Sequence, residues 1–92
     1  MQVNLYATFR LHAGVKTVPL DLPEGSRVMD ALRAVAGQYP ALQADWLDDQ
    51  GELHAHVHIF IDGEDVINLP QGLETPLAAD AVLDFFPPVA GG

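Results

Sequence analysis

The sequence closes on Phe86-Pro87-Pro88-Val89-Ala90-Gly91-Gly92. The group in that stretch with chemistry to offer is the terminal carboxylate of Gly92. Proline locks φ and lacks an N–H, so Pro87-Pro88 ends a strand and sends the chain on in an extended path. Val89 and Ala90 are small, and Gly91 and Gly92 have no side chain. Such an arm, with Pro87 through Gly91 as its slender stem, can thread a channel too narrow for most residues and deliver Gly92 to another protein. Two final glycines alone are a modest signal, since chance supplies them in about 1 chain in 200 at average glycine usage. Their attachment to an apolar strand through a diproline is what makes the feature specific.

A second group of residues concerns recognition. Alternation along three predicted strands places Tyr6, Phe60 and Phe86 on one face of a sheet, beside the start of the arm. Aromatic clusters of this kind anchor protein interfaces, so the patch is expected to dock a partner while the arm delivers. His54, His56 and His58 recur at every second residue and would share one strand face. A His-x-His pair can ligate a metal, but neither a carboxylate nor a cysteine is placed to complete a set. These histidines read as surface imidazoles, and no metal is expected. Asp48, Asp49, Glu52, Asp62, Glu64 and Asp65 fall in turns, where carboxylates lack the burial that would tune them for catalysis. The sequence holds no phosphate-binding glycine loop or dinucleotide fingerprint. No active site is expected within the chain.

Composition narrows the partners. The 92 residues carry a net charge of −9, with only 4 cations, Arg10, Lys16, Arg27 and Arg33. Nucleic-acid binding needs a basic stripe, and an anionic membrane surface is disfavoured for the same reason. A basic partner surface suits this charge, and solubility alone accounts for it equally well. There are no cysteines, which excludes disulfides, thiolate metal ligands and a thiol nucleophile. No basic segment followed by an apolar run begins the chain, and none of its apolar runs is long enough to span a bilayer. A cytoplasmic location is the expectation.

The elements that must position the patch and the arm follow from periodicity. Val3 to Phe9 reads as a first strand, with Val3, Leu5 and Ala7 facing inward, and His12-Ala13-Gly14 as a turn. Val15 to Leu22 reads as a second strand. Pro19 within it cannot donate to a ladder, which places that strand at an edge. Ser26 is the expected N-cap of a helix whose stripe is Val28, Ala31, Leu32, Val35 and Tyr39. Gly37 and Pro40 close it near Gln38. Pro40 to Leu47 predicts a short second helical turn that buries Trp46. Val57, Ile59 and Ile61 mark a third strand, Asp62-Gly63 a tight turn, and Val66 to Leu69 a short strand. Ala81 to Phe86 is the last strand, with Leu83 and Phe85 inside and Asp84 facing water.

Two strands, one main helix and returning strands make an α+β domain, a mixed sheet of four to five strands with the helix on one face. That is the layout of the β-grasp, or ubiquitin-like, fold. In it the first and last strands are parallel neighbours at the centre. Residues 1–86 are expected to form this domain, and residues 87–92 a flexible arm.

Phe85 to Gly92 closely resembles the C-terminus of the small subunit of molybdopterin synthase. Leu53-His54, Asp62-Gly63-Glu64-Asp65-Val66, Gly72-Leu73 and Thr75 resemble sulfur carriers of cysteine biosynthesis. The chain is therefore similar to the MoaD/ThiS-type ubiquitin-like sulfur carriers, and the two stretches point to different branches of that group. The resemblance implies that a ubiquitin-activating-type enzyme uses ATP to adenylate Gly92, that sulfur replaces the adenylate as a thiocarboxylate, and that a larger sulfurtransferase or synthase subunit takes the sulfur onward. It implies no permanently bound cofactor. It also implies docking through apolar residues of the open sheet face, matched here by Tyr6 and Phe86. Two alternatives stay open: a ubiquitin-like modifier joined to other proteins through Gly92, and an interaction domain with an inert arm. In the family an Asp-Gly-Asp turn often precedes the last strand. Here the residues are Ala79-Asp80-Ala81, with Asp80 expected to make the turn unaided.

Overall fold

The computed structural model describes residues 1–54 and 56–88. Five strands and three α-helices follow in the order β1 (Gln2–Leu5), α1 (Ala7–Ala13), β2 (Thr17–Pro19), α2 (Val28–Gln38), α3 (Pro40–Trp46), β3 (His58–Ile61), β4 (Glu64–Asp65) and β5 (Val82–Phe86). The sheet order is β2-β1-β5-β3-β4. β1 and β5 run parallel at the centre, with Asn4 opposite Asp84 and Leu5 opposite Phe85. β3 lies antiparallel to β5, pairing His58 with Phe86 and Phe60 with Asp84. This is the β-grasp arrangement. Pro19 lies in β2 at the sheet edge, where its missing N–H costs no ladder bond.

Alternation divides the sheet into a covered and an open face. Val3, Leu5, Leu83 and Phe85 are completely buried, and Ile59 nearly so. They meet the α2 stripe of Val28, Ala31, Leu32 and Val35, each fully buried as helical spacing predicts. Burying each such valine or leucine stabilises the fold by roughly 1.5–3 kcal/mol relative to exposure. α3 closes the rest of the core with Leu42 and Trp46. The indole ring packs edge-on to Phe9 at 5.6 Å and tilted against Phe85 at 4.6 Å.

The structure corrects several local expectations. The first strand stops at Leu5, and Ala7–Ala13 forms a helix in place of more strand and a turn. Tyr6 stays extended as its N-cap, and Ala7 takes a left-handed φ of 51°, which turns the chain off the sheet. Ala7 is exposed, while Phe9 is buried against Trp46. A short apolar run suits strand and helix equally, and here the tertiary contact of Phe9 decides. The cap of α2 is Arg27, not Ser26. The Asp30 carboxylate accepts hydrogen bonds from the Arg27 backbone N–H at 2.8 Å and from its guanidinium at 3.3 Å. These bonds from Arg27 hold the Asp30 carboxyl below its usual value. Val66–Asn68 is a 3₁₀ turn, not a strand, capped by the Asp65 carboxylate accepting from Ile67 N–H. Ala79-Asp80 does make the turn before β5, closed by Ala81 N–H donating to the Ala78 carbonyl at 3.1 Å, but without a positive φ at Asp80. The left-handed acidic residue is Asp62, at φ 49° beside Gly63 at φ 89°, which makes the two-residue β3–β4 turn.

Candidate functional site

The open sheet face is built by the residues that alternate with the core positions. Asn4 of β1, Asp84 and Phe86 of β5, and His58 and Phe60 of β3 are neighbours by register. Tyr6 extends the β1 row by one step. Its extended backbone keeps the strand direction just before α1 begins. The rings of Tyr6 and Phe86 stack at 4.2 Å with 13° between planes, and Phe60 meets Phe86 edge-on at 5.6 Å. Alternation placed all three on one face, and the structure brings them into one continuous cluster. All three are half-buried, so each offers ring surface to a partner while already held by its neighbours. A shallow apolar depression beside the cluster is bordered by His58, Phe60, Gly63, Asp84, Phe86 and Pro87.

At the middle of this face stands Asp84. Its Oδ1 accepts a hydrogen bond from Asn4 Nδ2 at 2.9 Å and another from the Tyr6 hydroxyl at 3.1 Å. Burial, then the Asp84 hydrogen bond and the Asp84 charge, raise the Tyr6 phenol above its ordinary value; the nearby Arg10 opposes the shift weakly. The Arg10 guanidinium lies 5.7 Å from the Tyr6 ring centre, and its Nε donates to the Leu5 carbonyl. Tyr6 is therefore a neutral donor at physiological pH, locked in orientation by a carboxylate. A raised phenol pKa favours folding below the unfolded value near 10, and that contribution disappears as pH rises through the folded value. Followed by phenolate absorbance in a Tyr39→Phe background, Tyr6 should ionise above 10.0, and Asp84→Asn should bring the midpoint down. An unmoved midpoint would show that Asp84 does not hold the phenol.

Sequence reasoning left Asp84 as a solvent-facing residue and missed Asn4 and Arg10. Alternation already places Asn4, Tyr6 and Asp84 on one face. The missing information is the β1–β5 register, which makes Asn4 and Asp84 direct partners. The three histidines do not share a strand face. β3 starts only at His58, while the rings of His54 and His56 stack on each other at 5.3 Å in the preceding segment. Among the described residues no group of three or more His, Cys, Asp or Glu converges as a metal site.

Pro87 is half-buried beside Phe86, and Pro88 is exposed. Val89, Ala90, Gly91 and Gly92 of the expected arm lie outside the described residues. No helix among the described residues is long and apolar enough to cross a membrane.

With this geometry in view, comparison with known proteins is direct. The family model described as "ThiS family" matches residues 3–92. The chain belongs to the ThiS family. This ThiS-family protein is 37% identical to small archaeal modifier protein 1 of Haloferax volcanii over the full length of both chains. A crystal structure of that relative superposes with a TM-score of 0.88, covering 99% of this chain and 97% of the other. A structure titled as the Amycolatopsis orientalis BexX/CysO complex matches at 26% identity and TM-score 0.79, covering 99% of this chain and 98% of that one. A protein of Pyrococcus furiosus, described as putative molybdopterin converting factor subunit 1, matches at 27% identity and TM-score 0.73, covering 96% and 95%. The MoaD/ThiS resemblance and the β-grasp fold both hold. The protein is one of the ubiquitin-like sulfur carriers and modifiers.

Proposed function

We propose that this protein is a sulfur carrier activated at Gly92 by a ubiquitin-activating-type enzyme. The observation that carries the reading is the joining of the aromatic cluster to the arm. Phe86 is at once the centre of the Tyr6–Phe86–Phe60 cluster and the last strand residue before Pro87-Pro88. A partner seated on the rings therefore receives the arm at a fixed exit. That converts a two-body encounter into a positioned reaction.

In the first step a Gly92 carboxylate oxygen attacks the α-phosphorus of ATP, and pyrophosphate leaves. In the second a sulfide-level sulfur nucleophile attacks the acyl carbon, AMP leaves, and Gly92 ends as a thiocarboxylate. ATP is bound and used by the partner. A larger sulfurtransferase or synthase subunit then takes the sulfur. The diproline before Val89 and the likeness to the Pyrococcus furiosus protein favour a molybdopterin precursor as acceptor. A second reading, a modifier joined to lysines of other proteins through the same Gly92 adenylate, is favoured by the 37% identity to small archaeal modifier protein 1.

Intact-mass measurement of the protein from its own cells separates the two fates. Replacement of one oxygen by sulfur at Gly92 supports the carrier, and higher-mass adducts lost on Gly92 deletion support the modifier. An unmodified end-group under sulfur-replete conditions, with the arm dispensable in vivo, would leave an inert interaction domain. Docking is tested by Phe86→Asp. It places a charge against two aromatic rings and beside Asp84, and should weaken affinity for the adenylating enzyme about 30- to 100-fold. Unchanged affinity in a calorimetric titration would remove the aromatic cluster from the interface.

A further inference from the structure

We infer that the docking face selects a partner surface carrying one basic side chain, with Asp84 as its counter-charge. The inference rests on the docking reading above. Both hydrogen bonds to Asp84, from Asn4 and Tyr6, end on Oδ1. An ionised carboxylate has about four acceptor positions, so those of Oδ2 are unused by these bonds. None of the ion pairs among the described residues involves Asp84. Asp84 is half-buried, yet Oδ2 is not among the buried side-chain oxygens that lack a partner. The oxygen thus keeps contact with solvent. Asp84 stands in the wall of the apolar depression with Phe60, Phe86 and Pro87.

Docking changes the balance at this atom. A partner that covers the rings also strips water from Oδ2. An apolar surface over it would leave a carboxylate desolvated and without compensation, which is heavily unfavourable. A guanidinium or ammonium opposite Oδ2 supplies both the charge and the donors. The sheet itself offers no substitute, because the strand residues on this face include neither lysine nor arginine. Arg10 is already engaged by the Leu5 carbonyl and the Tyr6 ring. Asn4 and Tyr6 hold the carboxylate in place before the partner arrives, so little side-chain entropy is lost on docking. The face therefore attracts a surface with a cation at the matching point and rejects an equally apolar surface without one. The net charge of −9 adds long-range steering in the same direction.

The test is calorimetric titration of the purified chain with the adenylating enzyme at low and at high salt, comparing wild type, Asp84→Asn, Asp84→Glu and Phe86→Asp. Asparagine preserves an acceptor for Asn4 and Tyr6 but removes the charge. It should weaken binding about 10- to 50-fold and flatten the salt dependence. Glutamate, which keeps the charge, should recover most of the loss. Amide NMR spectra of each variant check that β1 and β5 remain paired. Equal affinity for wild type and Asp84→Asn, with Phe86→Asp still impaired, overturns the counter-charge while leaving the docking face intact. Absence of wild-type binding, with Phe86→Asp indistinguishable from it, overturns both.

Discussion

Deletion of Gly92 is expected to lower ATP–pyrophosphate exchange at least a hundredfold and to leave the fold unchanged. One residue of extended chain spans about 3.3–3.6 Å. In the shortened protein the new carboxylate, on Gly91, stops that far short of the α-phosphorus when the same face is docked. Misplacement of a reacting group by only about 1 Å can already cost on the order of a hundredfold. The fold has no reason to respond. Among the described residues the buried core draws on residues up to Phe85, and the last strand ends at Phe86. The expected pattern is an unchanged circular dichroism spectrum and denaturation midpoint, undiminished affinity for the adenylating enzyme, and no exchange. Full exchange by the deletion variant would show that Gly92 is not the activated residue. Unfolding of the variant would show that the arm is a structural element of the domain.

Trp46→Ala should lower stability by about 3–5 kcal/mol. Trp46 is completely buried and stands between α1 and β5, touching Phe9 on one side and Phe85 on the other. Truncation opens a cavity at the junction of three elements. Full collapse is obstructed because α3 is held to α1 by the His12–Asp45 contact and to the following segment by the Trp46 carbonyl, which accepts from His54 N–H. Trp46→Phe is expected to cost much less. The indole Nε1–H is buried with no hydrogen-bond partner among the described residues, and phenylalanine removes that uncompensated donor along with some volume. Urea denaturation followed by far-ultraviolet circular dichroism measures both variants, since the chain has a single tryptophan. A loss below about 1 kcal/mol for alanine would place α3 outside the cooperative core. The effect reaches the docking face as well. Phe85 packs against the indole, and the next residue, Phe86, holds the aromatic cluster together.

The legible parts of the molecule share one physical property: their signal is local. The α2 stripe recurs with the helical period, and Val28, Ala31, Leu32 and Val35 are fully buried, with Tyr39 half-buried just past the helix end. Pro19 reports an edge because a missing N–H cannot serve a central strand. Asp62-Gly63 reports a tight turn because both residues tolerate positive φ. The open-face rings follow from simple alternation in three strands. The errors arose where local signals were degenerate. Val3 to Phe9 alternates well enough for a strand, and only the edge-on contact with Trp46 makes a helix the better way to bury Phe9. Ser26 is a good cap by residue type, but Arg27 and Asp30 satisfy the helix start. The histidine triplet has strand spacing, yet only His58 belongs to a strand.

The amino-acid sequence by itself determined the covered and open faces of the sheet, the exclusion of cysteine chemistry and the acidic net charge. These depend on residue type and on neighbours a few positions away. The tertiary structure decided the contents of the open face. Asn4 and Asp84 are 80 residues apart in the chain, and Tyr6 and Asp84 are 78 apart. Only the parallel pairing of β1 with β5 sets them side by side. No periodicity encodes that register, because it is settled by how the whole core packs.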